Sequence, residues 1–143
     1  MFIGEHLYKI DNKKRLAIPA KFRRVLGKKA VITRGLDNCL FLLSAKEWEK
    51  LAKKISQLSF TQADARGFAR VMLAGAMEVN IDRLGRILIP DYLKKYAGLK
   101  KETIVAGLYN RIEIWDSKKW SVYKEDKEKN VEDIAERLNN LGI

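Results

Sequence analysis

The chain has 143 residues, with 29 Lys and Arg against 18 Asp and Glu, and its net charge of +11 favours polyanionic partners through counterion release. At 47% hydrophobic and 33% charged residues the composition is that of a folded soluble protein, with too much apolar content for a disordered chain and no apolar run long enough to span a membrane. One histidine and one cysteine leave too few ligands for a zinc site and no recognisable nucleophile context, so neither an enzyme nor a metal, cofactor or small-molecule substrate is expected.

The opening Met1-Phe2-Ile3-Gly4-Glu5 lacks the basic and apolar regions of a secretory signal, so a cytoplasmic location is expected. A short strand is predicted over residues 6–10, a tight connection from Asp11 to Arg15, and a second apolar strand ending at Ile18-Pro19. Pro19 suits the first turn of a short helix and Gly27 its left-handed stop. A hairpin follows over 30–34 and 39–43, turning at Gly35-Leu36-Asp37-Asn38, with Cys39 expected to pack as a small hydrophobe. Ser44 and Glu47 have capping-box spacing at the head of the next helix, where Leu43 can staple against Trp48. Ala65, Phe68, Ala69, Met72, Leu73 and Ala76 recur at spacings of three and four, predicting one amphipathic linking helix within 59–77.

The same string then returns. Ile10-Asp11-Asn12-Lys13-Lys14-Arg15-Leu16-Ala17-Ile18-Pro19 recurs 71 residues later as Ile81-Asp82-Arg83-Leu84-Gly85-Arg86-Ile87-Leu88-Ile89-Pro90. Copy two predicts a strand over 78–81, a helix between Pro90 and Gly98, and strands over 103–106 and 111–115 around Gly107-Leu108-Tyr109-Asn110. Asp116 would cap the next helix, with Trp115 stapled on Trp120, and both tryptophans are read as packing residues rather than base-stacking ones. Residues 124–140 read as a charged surface helix with Val131, Ile134, Ala135 and Leu138 on one face. The expected units are 1–58, a linker over 59–77, 78–126 and a tail over 127–143, forming an α+β fold in which two ββαββ copies share one core because neither could bury enough surface alone.

The chemistry lies in the two Asp-to-Arg connections. A carboxylate four residues before an arginine across a tight loop can grip the guanidinium by two prongs and aim its other donors at phosphate or at guanine O6 and N7. The same pair could equally brace the fold. Lys13, Lys14 and Arg83 are candidate phosphate contacts beside Asp11, Arg15, Asp82 and Arg86. Lys21, Arg23, Arg24, Lys28 and Lys29 could extend the basic face, although a solvated helix surface suits most of them. Residues 1–58 hold 14 basic against 5 acidic side chains, a net +9, while residues 78–126 hold 10 against 8, a net +2. Copy one is therefore expected to read DNA and copy two to support the fold and the oligomer, with Leu84 packed rather than facing phosphate. An oligomeric scaffold is the competing reading. RNA binding is another, disfavoured because the basic loops lack the interleaved exposed aromatics that stack single-stranded bases.

Two copies of Asp-x-x-x-Arg, each followed by an apolar strand ending in Pro and later by a Gly-x-x-Asn hairpin, resemble the MraZ family of bacterial transcriptional regulators. Met1-Phe2-x-Gly4, Leu73-x-Gly75 and Gly107-x-x-Asn110-x-x-Glu113-x-Trp115 extend the resemblance over essentially the whole chain. It implies two SpoVT/AbrB-like halves joined in one pseudo-symmetric swapped-hairpin β-barrel with peripheral helices, assembled into ring-shaped homo-oligomers. It further implies nucleoid-associated, sequence-specific binding of double-stranded DNA at short G-containing direct repeats, upstream of the division and cell-wall gene cluster that the regulator heads. The family motif falls on Asp11, Arg15, Asp82 and Arg86. One departure is Lys14, where the family usually has Gly before the arginine, as at Gly85; a side chain there would stiffen the turn and add charge at its tip.

Overall fold

The repeat is built as two ββαββ units in the computed structural model, which describes residues 1–142. Copy one runs β1 (Phe2–Lys9), β2 (Arg15–Ala17), α1 (Ala20–Leu26), β3 (Lys29–Arg34) and β4 (Leu40–Ser44), followed by α2 (Ala45–Ser56) and α3 (Ala63–Ala69). Copy two runs β5 (Met77–Asn80), β6 (Arg86–Leu88), α4 (Asp91–Tyr96), β7 (Glu102–Tyr109) and β8 (Ile112–Asp116), followed by α5 (Ser117–Lys129), α6 (Val131–Arg137) and a short 3-10 turn, Asn139–Leu141. Pro19 and Pro90 stand immediately before α1 and α4, where a missing N–H and a fixed φ cost nothing.

The strands form one antiparallel sheet in the order β1-β7-β8-β4-β3-β5, plus a separate ribbon of β2 and β6. Exchanging each strand for its repeat counterpart reverses the same order, so the sheet has a pseudo-two-fold axis between β4 and β8. Each copy's first strand pairs with the hairpin of the other copy: β1 lies along β7 from Phe2 opposite Tyr109 to Lys9 opposite Glu102, and β5 lies along β3. This full-length pairing carries β1 back to Phe2, well before the predicted start at residue 6.

The described strands give the antiparallel sheet and the ribbon but no ladder that closes the expected swapped-hairpin barrel. Among the described residues, no ladder joins β1 to β5 or the ribbon to the sheet. The ribbon is short for a local reason: the Asp-to-Arg turns bound β2 and β6 on one side and the prolines, which lack an N–H, follow closely on the other, leaving three residues to each. The ribbon is instead tied to the opposite turns, the Ile18 N–H donating to the Gly85 carbonyl and the Ile89 N–H to the Lys14 carbonyl, both at 2.9 Å.

Period-two alternation along β4 divides the interior. Leu40 and Leu42 join a core between sheet and ribbon that also takes Leu16, Ile18 and Phe22 from copy one and Ile87, Ile89 and Leu93 from copy two, so that core is shared as expected. Phe41 and Leu43 point to the other side, where Cys39, Ile55, Met72 and Trp115 form a second cluster under α2, α5 and the linker. Burial pushes the Cys39 thiol pKa far up, which makes it an inert core residue.

Ser44 Oγ accepts the Glu47 N–H at 3.2 Å and Asp116 accepts the Lys119 N–H at 3.3 Å, as the cap spacings predict. Glu47 does not close the box; its carboxylate goes to Lys50. Trp48 packs against the second cluster, and the Trp115 and Trp120 rings meet edge to face at 5.3 Å.

Two helices depart from expectation. The linker is α3 followed by a single π-helical turn, Arg70–Ala74, rather than one regular helix, and Phe68 is 40% exposed. Side chains of β3 satisfy carbonyls of that wider turn, Thr33 Oγ1 donating to Met72 O at 2.8 Å and Arg34 to Val71 O at 3.4 Å. The tail breaks at Asn130 into α5 and α6, and Val131 and Leu138 stay exposed. Among the described residues no helix is long and apolar enough to cross a membrane.

Candidate nucleic-acid interface

Each Asp-to-Arg loop is a turn folded around its own carboxylate. Asp11 Oδ1 accepts the backbone N–H groups of Lys13 and Arg15, both at 2.9 Å, while Oδ2 accepts Arg15 Nε at 2.8 Å. Asp82 repeats the pattern with the N–H groups of Leu84 and Arg86 and with Arg86 Nε, all at 2.9 Å. An aspartate at the head of a tight turn does this because its short side chain reaches the amides two and four positions on. The expected two-pronged grip is absent, since Oδ1 is committed to backbone amides and only Nε reaches Oδ2. Each arginine is thereby oriented through its stem side, and the loop carboxylate leaves the two terminal nitrogens for other partners.

The backbone N–H of Arg15, followed by its guanidinium and the Lys13 amide, outweighs desolvation and holds the Asp11 carboxyl below its ordinary value of 3.8. The Arg86 backbone N–H does the same for Asp82. Both carboxylates are ionised at neutral pH, as a guanidinium holder must be.

Lys14 does not reshape the copy-one turn. It takes the left-handed conformation of its counterpart, φ +63° against +77° at Gly85, and the Lys14 and Gly85 amides donate to the carbonyls of Asp11 and Asp82 at 3.0 and 2.9 Å.

The ribbon brings the two loops to one surface. Arg15 stands opposite Leu88 and Ala17 opposite Arg86, so alternation puts both arginines on the outer face while Leu16 and Ile87 are buried beneath. Arg86 Nη1 lies 3.9 Å from Asp11 Oδ2, which makes Asp11, Arg15, Asp82 and Arg86 one cluster across both copies.

Lys13 and Arg83 are exposed at the loop tips. Lys14, expected to be free for phosphate, instead pairs through its ammonium with Asp91 at the head of α4. Leu84, expected to pack, is 68% exposed because the loop tip carries it away from both cores. These placements reduce the difference in tip charge between the copies. Arg23, expected on a mostly solvated helix surface, is instead partly buried. Its guanidinium lies over Gly85, where a methyl group would collide with it, and its Nε is buried without a hydrogen-bond partner. Lys21, Arg24, Lys28 and Lys29 are exposed on and after α1. Asp91 was missed altogether, although the repeat carried a signal for it: in the register that aligns Pro19 with Pro90, Asp91 stands where copy one has Ala20. Among the described residues no group of three or more His, Cys, Asp or Glu could hold a metal ion.

A family model described as "MraZ protein, putative antitoxin-like" matches the chain twice, over residues 1–71 and 72–141, the two matches meeting within the linker. Among similar proteins are three named "Transcriptional regulator MraZ". That of Acetivibrio thermocellus is 48% identical, that of Halothermothrix orenii 49% and that of Syntrophomonas wolfei 46%, each over 143 residues that cover 100% of both chains. The chain belongs to the MraZ family.

Proposed function

We propose that this protein is a DNA-binding transcriptional regulator and that the outer face of the β2–β6 ribbon, with its two flanking loops, is the surface that meets the double helix. The observation that carries this reading is the placement of Arg15 and Arg86 on one exposed face, each held by Nε to its own aspartate. Paired terminal nitrogens on a fixed guanidinium match guanine O6 and N7 in the major groove. Lys13 and Arg83, exposed at the tips, suit phosphate, positioning the loops without reading sequence. The names of the relatives agree with a regulatory role.

Arginine readout favours guanine, and the resemblance to the MraZ family implies that the guanines lie in short direct repeats ahead of the chain's own division and cell-wall gene cluster, at the nucleoid. One ribbon offers few contacts. A ring of identical subunits would engage several repeats at once and raise effective affinity without new chemistry. The crossing of each copy's first strand to the other copy's hairpin agrees with an AbrB-like swapped-hairpin plan, with 1–58 and 78–126 as its two units, 59–77 as the linker and 127–143 as the tail.

The test is a salt titration of binding to a duplex from upstream of the coding region, set against a shuffled duplex of equal length. The expected result is preference for the upstream duplex and a steep fall with salt, with a logarithmic slope of about −0.9 for each phosphate neutralised. Binding indifferent to both salt and sequence would remove this reading.

A further inference from the structure

The geometry points to Asp91 as an internal stand-in for phosphate, a carboxylate that occupies Lys14 and restrains DNA binding by the copy-one loop. This inference rests on the proposed DNA-reading role of that loop. Lys14 projects from the turn that aims Arg15, and its ammonium pairs with the carboxylate of Asp91, the first residue of α4 in the other copy. Their side chains remain 45% and 75% exposed, so neither is sealed in and a polyanion can reach the ammonium. The pair lies in the shallow cleft that Lys13 and Leu88 also line, beside the ribbon face that carries Arg15.

The repeat supplies an internal comparison. Lys14 corresponds to Gly85 and Asp91 to Ala20, so the cation and the acid occur together in one half of the pseudo-symmetric arrangement and are missing together from the other. Asp91 is the acid in the first turn of α4, where it favours the helix dipole, but among the described residues its carboxylate has no ion-pair partner other than Lys14. Carboxylate and phosphate oxygens accept from an ammonium in the same way. A DNA phosphate must therefore displace Asp91 to use Lys14 and must tolerate its negative charge nearby. An exposed pair of this kind is weak enough to exchange, and it lowers affinity on every sequence alike while leaving base discrimination to Arg15 and Arg86.

The test compares Asp91→Asn with the full-length wild type on the upstream and shuffled duplexes, in both the native and the Lys14→Gln background, with melting temperature and oligomeric state monitored. Expected are an affinity about two- to fivefold higher on both duplexes, a salt slope steeper by about one, and an unchanged ratio between duplexes. In the Lys14→Gln background the gain should disappear. Unchanged or weaker binding by Asp91→Asn would overturn the proposal by making the carboxylate a positioning or purely structural residue. An equal gain without Lys14 would also overturn it, since the effect would then be general repulsion. A wild type that binds neither duplex at any salt would remove the DNA reading itself, which separates that failure from failure of the restraint.

Discussion

Arg86 reaches the Asp11 carboxylate of the opposite copy, Nη1 lying 3.9 Å from Oδ2, so Asp11 serves both arginines, whereas the bonds to Asp82 come from its own loop. Asp11→Asn should consequently disturb the aim of Arg15 and Arg86 together, and Asp82→Asn that of Arg86 alone. On one upstream duplex the expected losses are about tenfold for Asp11→Asn and about threefold for Asp82→Asn, with variants matched for oligomeric state so that lost avidity does not imitate a lost contact. Equal losses would mean that the contact between the copies carries no weight in the bound state.

The same carboxylates set the acid limit of the loops. Both have folded values below 3.8, chiefly because their own loop amides stabilise the charged form. A depressed carboxylate contributes stability that is complete above its unfolded value and is lost as pH falls through the folded one. The loops should therefore stay intact at pH 5 and weaken only below about pH 4. Thermal melts across acid pH check this: Asp11→Asn with Asp82→Asn should flatten the low-pH part of the wild-type curve, and an unaltered curve would show that other groups govern acid stability.

How much of this was legible in the sequence depends on the range of each interaction. The repeat, the Asp-x-x-x-Arg turns and the Ser44 and Asp116 caps are local, and a short polar side chain near its own backbone has few alternatives. The pairing of β1 with β7 is not local, since it is set by a core drawn from both copies, and nothing in Phe2–Lys9 names its partner. The π-helical turn was hidden because apolar spacings of three and four suit either helix type, and it is stabilised by Thr33 and Arg34 of a distant strand. Hydropathy made Leu84 a packing residue when the turn had already fixed it outside. Lys14 and Asp91 could be connected only once the two halves had been superposed in space.

The strand exchange makes a direct statement about folding. Residues 1–58 contain β1 and β2 but neither β7 nor β6, and their apolar side chains pack on Ile87, Ile89 and Leu93 of the other copy. As an isolated monomer this fragment should have no cooperative melt and a largely unordered circular dichroism spectrum, and residues 59–143 added at equal concentration should restore structure. A monomeric 1–58 fragment that melts cooperatively with a native-like spectrum would contradict the shared core.

At Lys14 and Gly85 the two loops agree in backbone shape although only one of them carries a side chain there. Gly85 and Lys14 both sit at positive φ, and this conformation costs a residue with a side chain about 1 kcal/mol relative to glycine. Lys14→Gly removes that cost and loses an exposed ion pair worth no more than about 1 kcal/mol, so its net effect on stability should be near zero. Gly85→Ala introduces the same cost and adds a second one, because the new methyl group collides with the Arg23 guanidinium lying over the turn. Its destabilisation should be about 2 kcal/mol or more, the excess coming from displacement of Arg23. Removing the obstacle separates the two contributions: measured from an Arg23→Ala reference, Gly85→Ala should cost only the backbone share of about 1 kcal/mol. Chemical denaturation of the four proteins in this cycle, with oligomeric state held constant, gives each value. If Gly85→Ala costs the same with and without Arg23, the guanidinium does not hold the copy-two turn, and the collision is relieved by movement of a flexible side chain alone.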